Sequence, residues 1–144
     1  MSTTPRTADS FAGHEKLPFL QVLTAEADRL FLGVSALLAL VSMGLALRAG
    51  AWTPFLAISL PTLLVVAAQV RLLPGTRLSR CTVALAWMVQ AATLIHQTSG
   101  LLETHFTVIV LIALLLYYRD WLPLVVAAAA IAVHHVLFFY LQHR

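Results

Sequence analysis

The sequence predicts an all-α integral membrane protein, a helical bundle of five transmembrane helices, and three observations carry that reading. Of the 144 residues, 60% are hydrophobic and 10% charged, whereas a soluble domain is about half apolar and a quarter charged. From residue 30 to residue 144 the charged side chains are Arg48, Arg71, Arg77, Arg80, Glu103, Arg119, Asp120 and Arg144 alone. Between them lie apolar runs long enough to cross a bilayer, which takes about 20 residues. Third, the cationic residues segregate by side once those runs are threaded through a membrane, as flanking lysine and arginine do.

Residues 1–27 are polar and mixed, "MSTTPRTADSFAGHEKLPFLQVLTAEADR" in its wider context. No compact basic start precedes a short apolar core and a small-residue cleavage site, so this is not a signal peptide. We read it as a partly disordered cytoplasmic tail in which His14 is solvated. The bundle then occupies residues 28–142. "LFLGVSALLALVSMGLAL" forms the first span, roughly 28–48. "WTPFLAISLPTLLVVAAQV" forms the second, roughly 52–71, with Pro61 as a kink that neighbouring helices tolerate. "RCTVALAWMVQAATLIHQT" is the third, roughly 79–98, after an "LLPGTRLS" turn. "LLETHFTVIVLIALLLYY" is the fourth, roughly 102–118, and "WLPLVVAAAAIAVHHVLFFYLQ" the fifth, roughly 121–142.

With the N-terminus inside, the inner side holds Arg6, Lys16, Arg29, Arg71, Arg77, Arg80 and Arg119, and the outer side Arg48 and Arg144. Seven against two places the N-terminus in the cytoplasm of a multi-pass protein. The modest positive charge is thereby explained by the lipid bilayer as partner, with no nucleic acid. The single cysteine, Cys81, excludes an internal disulfide and a four-cysteine zinc site.

"YYRDWLP" joins the last two spans as a tight inner hairpin. Asp120 suits the N-cap of the fifth helix and Pro123 its first turn, where a missing N–H costs little. Tyr117, Tyr118 and Trp121 suit the headgroup boundary. This turn is also a ruler. His105 lies thirteen residues before Tyr118, and His134 thirteen after Trp121, so both stand about 20 Å above the turn. His96 is sixteen residues beyond Arg80, about 24 Å above the same surface. Three helices therefore level His96, His105 and the His134/His135 pair in the outer leaflet, with Glu103 just above.

Ionisable groups at membrane depth are expensive and face a bundle interior or a wet cavity. One such histidine reads as snorkelling or bonded to a helix carbonyl. Four at one depth beside a carboxylate point to a transition-metal site (copper, iron or zinc) or to haem b, since neutral imidazole ligates all of these. The expected ligands are His96, His105 and one of His134 and His135, with Glu103 as fourth ligand or support. Adjacent helical residues point about 100° apart, so which of the pair turns inward is open. His143 reads as an exposed terminal residue. Gln90, Thr93, Gln97 and Thr98 read as ordinary contacts between helices, and Phe138, Phe139 and Tyr140 as an interfacial belt. There is no phosphate loop, no H-E-x-x-H and no nucleophile beside a histidine. No catalytic residue is assigned and the chain is not expected to be an enzyme.

The stretch "IHQTSGLLETHFTVIVLIALLLYYRDWLPLVVAAAAIAVHHVLFFYLQ" resembles the multi-span membrane sensor region at the N-terminus of bacterial methyl-accepting chemotaxis proteins, diguanylate cyclases and histidine kinases. The matching residues are Ile95 and His96, Gly100, Glu103, His105 and Phe106, Tyr118 to Trp121, and His134 with His135, over roughly residues 85–142. Many members of that group carry a second histidine where this chain has Thr107, which implies a smaller ligand set here. They also continue into a sixth span and a cytoplasmic output domain, whereas this chain stops at "QHR", which leaves the expected C-terminus outside and implies either a truncated or isolated sensor region or a different topology. The resemblance implies a sensory input domain in a bacterial inner membrane, a homodimer coupled to a cytoplasmic signalling module in cis or trans, with any catalysis in that module. The alternative is a small membrane cytochrome or metal-binding carrier for electrons or ions.

Overall fold

The computed structural model describes the backbone over residues 8–142 and side chains over residues 22–140. It is all-α among the described residues: α1 (Ala8–Ala49), α2 (Leu60–Leu72), α3 (Arg77–Gln97), α4 (Leu102–Leu115) and α5 (Trp121–Gln142). Four segments are long and apolar enough to cross a membrane, Val22–Ala49, Phe55–Leu72, Arg77–Gln97 and Trp121–Tyr140, while Leu102–Tyr118 is apolar but shorter. The helices alternate in direction. The end that holds the α2–α3 and α4–α5 turns is called the base here, and the opposite end the crown.

The expected boundaries of the third and fifth helices agree with the structure to within two residues, and the fourth, expected to 118, ends as α-helix at Leu115 and reaches Tyr118 only through a 3-10 turn. The first does not agree. α1 reaches back to Ala8, so residues 8–27, expected as a tail, continue the helix, in keeping with the good helix formers Ala, Glu and Lys that they contain. Residues 1–7 and His143 lie outside the described residues. The second span opens differently as well. Phe55–Ser59 is a π-helical turn, in which the Leu60 N–H reaches the Phe55 carbonyl five residues back. Pro61 has no N–H to give and its ring clashes with the carbonyl four residues earlier. The extra residue in the turn absorbs that clash, and α2 proper starts with Pro61 in its first turn.

α3 is the axle of the bundle. It packs against α1, α2, α4 and α5, whereas α4 and α5, though joined by a tight turn, touch each other far less than either touches α3. Its core residues Val83, Ala84, Trp87, Met88, Ala91 and Leu94 are buried together with Phe31 of α1, Val66 of α2 and Leu115 of α4. Phe31 is the aromatic centre: its ring meets Trp87 edge-on at 4.8 Å and Tyr118 at 4.8 Å, geometry that such rings favour. The Trp87 indole N–H donates to the Ser35 hydroxyl at 2.9 Å, and Ser35 in turn donates to the Phe31 carbonyl at 3.0 Å.

The base is knitted by polar groups. Asp28 is completely buried, and its carboxylate accepts the Gly75 N–H at 2.7 Å, the Ser79 hydroxyl at 2.8 Å and the Tyr118 hydroxyl at 2.5 Å. Gly75 occupies a left-handed conformation, φ 71°, which glycine alone adopts without strain. Tyr118 is 3% exposed, so its expected place at a half-wet boundary is wrong: Asp28 draws its hydroxyl into the core. Tyr117 and Trp121 are exposed, 62% and 72%.

Candidate functional site

The α3–α4 connection sets the crown. Ser99 and Gly100 both have positive φ, 55° and 82°, and the Gly100 N–H returns to the Ile95 carbonyl at 2.8 Å, a helix-ending arrangement that satisfies an otherwise idle carbonyl. Thr98 and Thr104 hydroxyls meet at 3.1 Å across the turn. His96 is thereby held at the last turn of α3 and His105 at the first turn of α4. At the base, the α4–α5 turn is a short 3-10 segment, Leu116–Tyr118, followed by left-handed Arg119. Asp120 then caps α5, accepting the Leu122 N–H at 3.1 Å, and its other oxygen meets Arg80 of α3 at 2.7 Å. The expected cap is therefore present, with an ion pair to α3 that the sequence reading did not include.

From that turn α4 and α5 rise against α3 and leave a cleft of about 690 Å³ between them near the crown. His96 of α3, His105 of α4, and His134 and His135 of α5 all line it, along with Ala92, Ile95, Ile131, Val136, Phe138 and Phe139. The structure thus brings together all four histidines that the ruler levels. Glu103 does not line the cleft; it is exposed on the first turn of α4, so it is not placed to complete a ligand set from there. No group of three or more His, Cys, Asp or Glu side chains among the described residues is set to hold a metal ion.

The imidazoles differ in how they are held. His105 Nδ1 lies 3.0 Å from the Leu101 carbonyl and His135 Nδ1 lies 2.9 Å from the Ile131 carbonyl. A carbonyl can only accept, so each Nδ1 carries the proton and donates it to its own helix one turn back. In the neutral ring the proton-free nitrogen is then Nε2, which has no hydrogen-bond partner among the described residues. Metal-ligating histidines are typically oriented in this manner, one nitrogen anchored and the other presented. His134 is held by packing instead: its ring lies 4.5 Å from Phe138 and 5.8 Å from His135. His96 stands at the cleft rim, exposed.

A bare zinc or copper ion takes three or four protein donors converging on one point, and these four imidazoles share a cleft without forming such a group among the described residues. His105 and His135 stand on different helices of that cleft, and Ile95, Ile131, Val136, Phe138 and Phe139 supply apolar walls.

The sequence reading passed over the Asp28 cluster. Its signal was available: Asp28, Ser35 and Ser42 recur every seven residues in an apolar run, which marks one inward helix stripe. Of the expected contacts between helices, Gln97 bonds Ser42 as anticipated, donating to its carbonyl at 3.2 Å and accepting its hydroxyl at 2.8 Å. Thr93 instead donates to the Val89 carbonyl of its own helix, and Gln90 has no partner among the described residues. Compared with known proteins, the chain matches no family model, no curated protein and no solved structure.

Proposed function

We propose that the chain is the membrane-embedded sensory input bundle of a bacterial signalling protein, crossing the inner membrane five times from a cytoplasmic N-terminus, with a haem b site in its crown cleft. The observation that carries this reading is the pair His105 and His135, each with Nδ1 tied to a carbonyl of its own helix and both lining the same cleft. These two residues would hold the iron; His134 and His96 line the walls and tune polarity. Haem, when bound, would supply an iron able to take up a small diatomic ligand or change oxidation state. His105 on α4 and His135 on α5 would couple occupancy to helix position, because a ligand with different affinity for two helix packings shifts the equilibrium between them. A cytoplasmic module, in cis or trans, reads the change through the base.

The test is spectroscopic. Full-length protein purified from haem-replete bacterial membranes should show a Soret band and a pyridine haemochrome of b type, and His105→Ala and His135→Ala should each abolish or shift it. Colourless protein that carries stoichiometric copper, iron or zinc by elemental analysis would move the assignment to a bare metal. Protein with neither would sink the cofactor reading altogether.

A further inference from the structure

Asp28, Ser35 and Ser42 are spaced seven apart on α1, and all three are completely buried. Each anchors a polar cluster between α1 and its neighbours. At the base, Asp28 gathers Gly75, Ser79 and Tyr118. In the middle, Ser35 receives Trp87. Toward the crown, the Ser59 hydroxyl donates to Ser42 at 2.9 Å and Ser42 donates to Gln97 at 2.8 Å. At 1.5 Å per residue, the first and last of these clusters stand about 21 Å apart along α1.

Between them lie polar atoms with nothing to bond. Gln90 is 1% exposed, and among the described residues neither its amide oxygen nor its amide nitrogen has a partner; the amide nitrogen of the half-buried Gln69 has none either. Gln90 follows Trp87 by three residues and precedes Gln97 by seven, which keeps it on the stripe of α3 that faces α1. Counted from Ser79 it stands about 16 Å above the Asp28 cluster, between the Ser35 and Ser42 levels. Gln69 follows the buried Val66 by three residues and stands about 15 Å toward the base from Ser59, between the Ser35 and Asp28 levels. The unpartnered Gln90 amide and the unpartnered Gln69 amide nitrogen therefore fall in the two gaps of the polar column.

A primary amide holds two donors and an acceptor with two lone pairs, and burying one without partners is costly. The group that satisfies it must both donate and accept, and must carry no net charge. A bare cation fails this test, because it offers no acceptor to the Gln90 amide nitrogen. We infer that ordered water molecules bind inside the bundle at Gln90 and Gln69, joining the three clusters into one hydrogen-bonded column from Gln97 beside the histidine cleft to Asp28 and Tyr118 at the base. This column is separate from the cofactor cleft, and its existence does not depend on haem.

Radiolytic hydroxyl labelling of the intact protein in detergent tests it, since radicals formed from bound water oxidise the side chains beside them. Trp87, 0% exposed, should be oxidised in the native protein. Gln90→Leu should reduce that labelling by roughly threefold or more, because an apolar site does not retain water. The same variant should lower Tm by roughly 3–6 °C, since the waters and hydroxyls it strands lose a partner. An unlabelled native Trp87, equal labelling in Gln90→Leu, or a raised Tm in that variant would each overturn the proposal. If Gln90→Leu fails to fold, the labelling of native Trp87 decides by itself.

Discussion

The Tyr118 hydroxyl, at the end of the fourth helical segment, donates to the Asp28 carboxylate of α1 at 2.5 Å, ninety residues away in sequence. Two further donors, from Gly75 and Ser79, converge on the same carboxylate. Asp28→Ala strands all three, and we expect it to cost about 3–5 kcal/mol. Tyr118→Phe removes one donor and leaves the other two in place, so about 1–3 kcal/mol is expected. Thermal unfolding in detergent should rank Asp28→Ala well below Tyr118→Phe; equal midpoints would show that the carboxylate is not a shared hub.

Asp120 has two jobs on two oxygens, one capping α5 and one pairing with Arg80. Asp120→Asn retains a capping oxygen and loses the ion pair, so a loss of about 0.5–1.5 kcal/mol is expected for this partly screened pair. Asp120→Ala removes both and should cost about 1–3 kcal/mol. Arg80→Met should match Asp120→Asn rather than Asp120→Ala in a Tm series.

Of the three tryptophans, Trp87 is 0% exposed, Trp52 41% and Trp121 72%. In a Trp52→Phe, Trp121→Phe background the remaining emission should sit at the blue edge and resist quenching by iodide. Trp87→Phe leaves the Ser35 hydroxyl without its donor and opens space beside Phe31, so a loss of about 2–4 kcal/mol is expected. Red-shifted, readily quenched emission from Trp87 would contradict its burial.

An asparagine places its amide nitrogen near the Nδ1 position of histidine, and a glutamine reaches toward Nε2. His105→Asn should therefore keep the bond to the Leu101 carbonyl and lose cofactor, while leaving the unfolding midpoint within about 0.5 kcal/mol of native. Absorbance titration with hemin, beside a thermal melt of the apoprotein, separates the two effects. Full hemin uptake by His105→Asn would remove that residue from the ligand set.

The three terminal helices were legible in the sequence because each signal there is local. An apolar run sets each length, and Asp120 and Pro123 mark a start. A count of thirteen residues on either side of one turn levels His105 with His134. Burial of Tyr118 was not legible, because it depends on Asp28, a residue that looks like the polar edge of a span until α1 and α4 are packed together. The π-turn before Pro61 was half legible: proline signals a break, but whether the chain kinks or inserts a residue depends on what Ser59 must reach, here Ser42. How His134 and His135 differ was not legible either, since it takes the packed backbone to set one ring on the Ile131 carbonyl and the other against Phe138. Glu103 lies off the cleft for a related reason. Two residues along a helix from His105, it lies nearly opposite that side chain around the axis.

The tight turn at Arg119 is pinned on both flanks, by Tyr118 to Asp28 and by Asp120 to Arg80, while α4 and α5 barely touch each other above it. Above the turn each helix is fastened separately to α3, like two staves nailed to one post. The gap between His105 and His135 is therefore set by how each stave sits on the post, and the turn itself adds only a fixed foot.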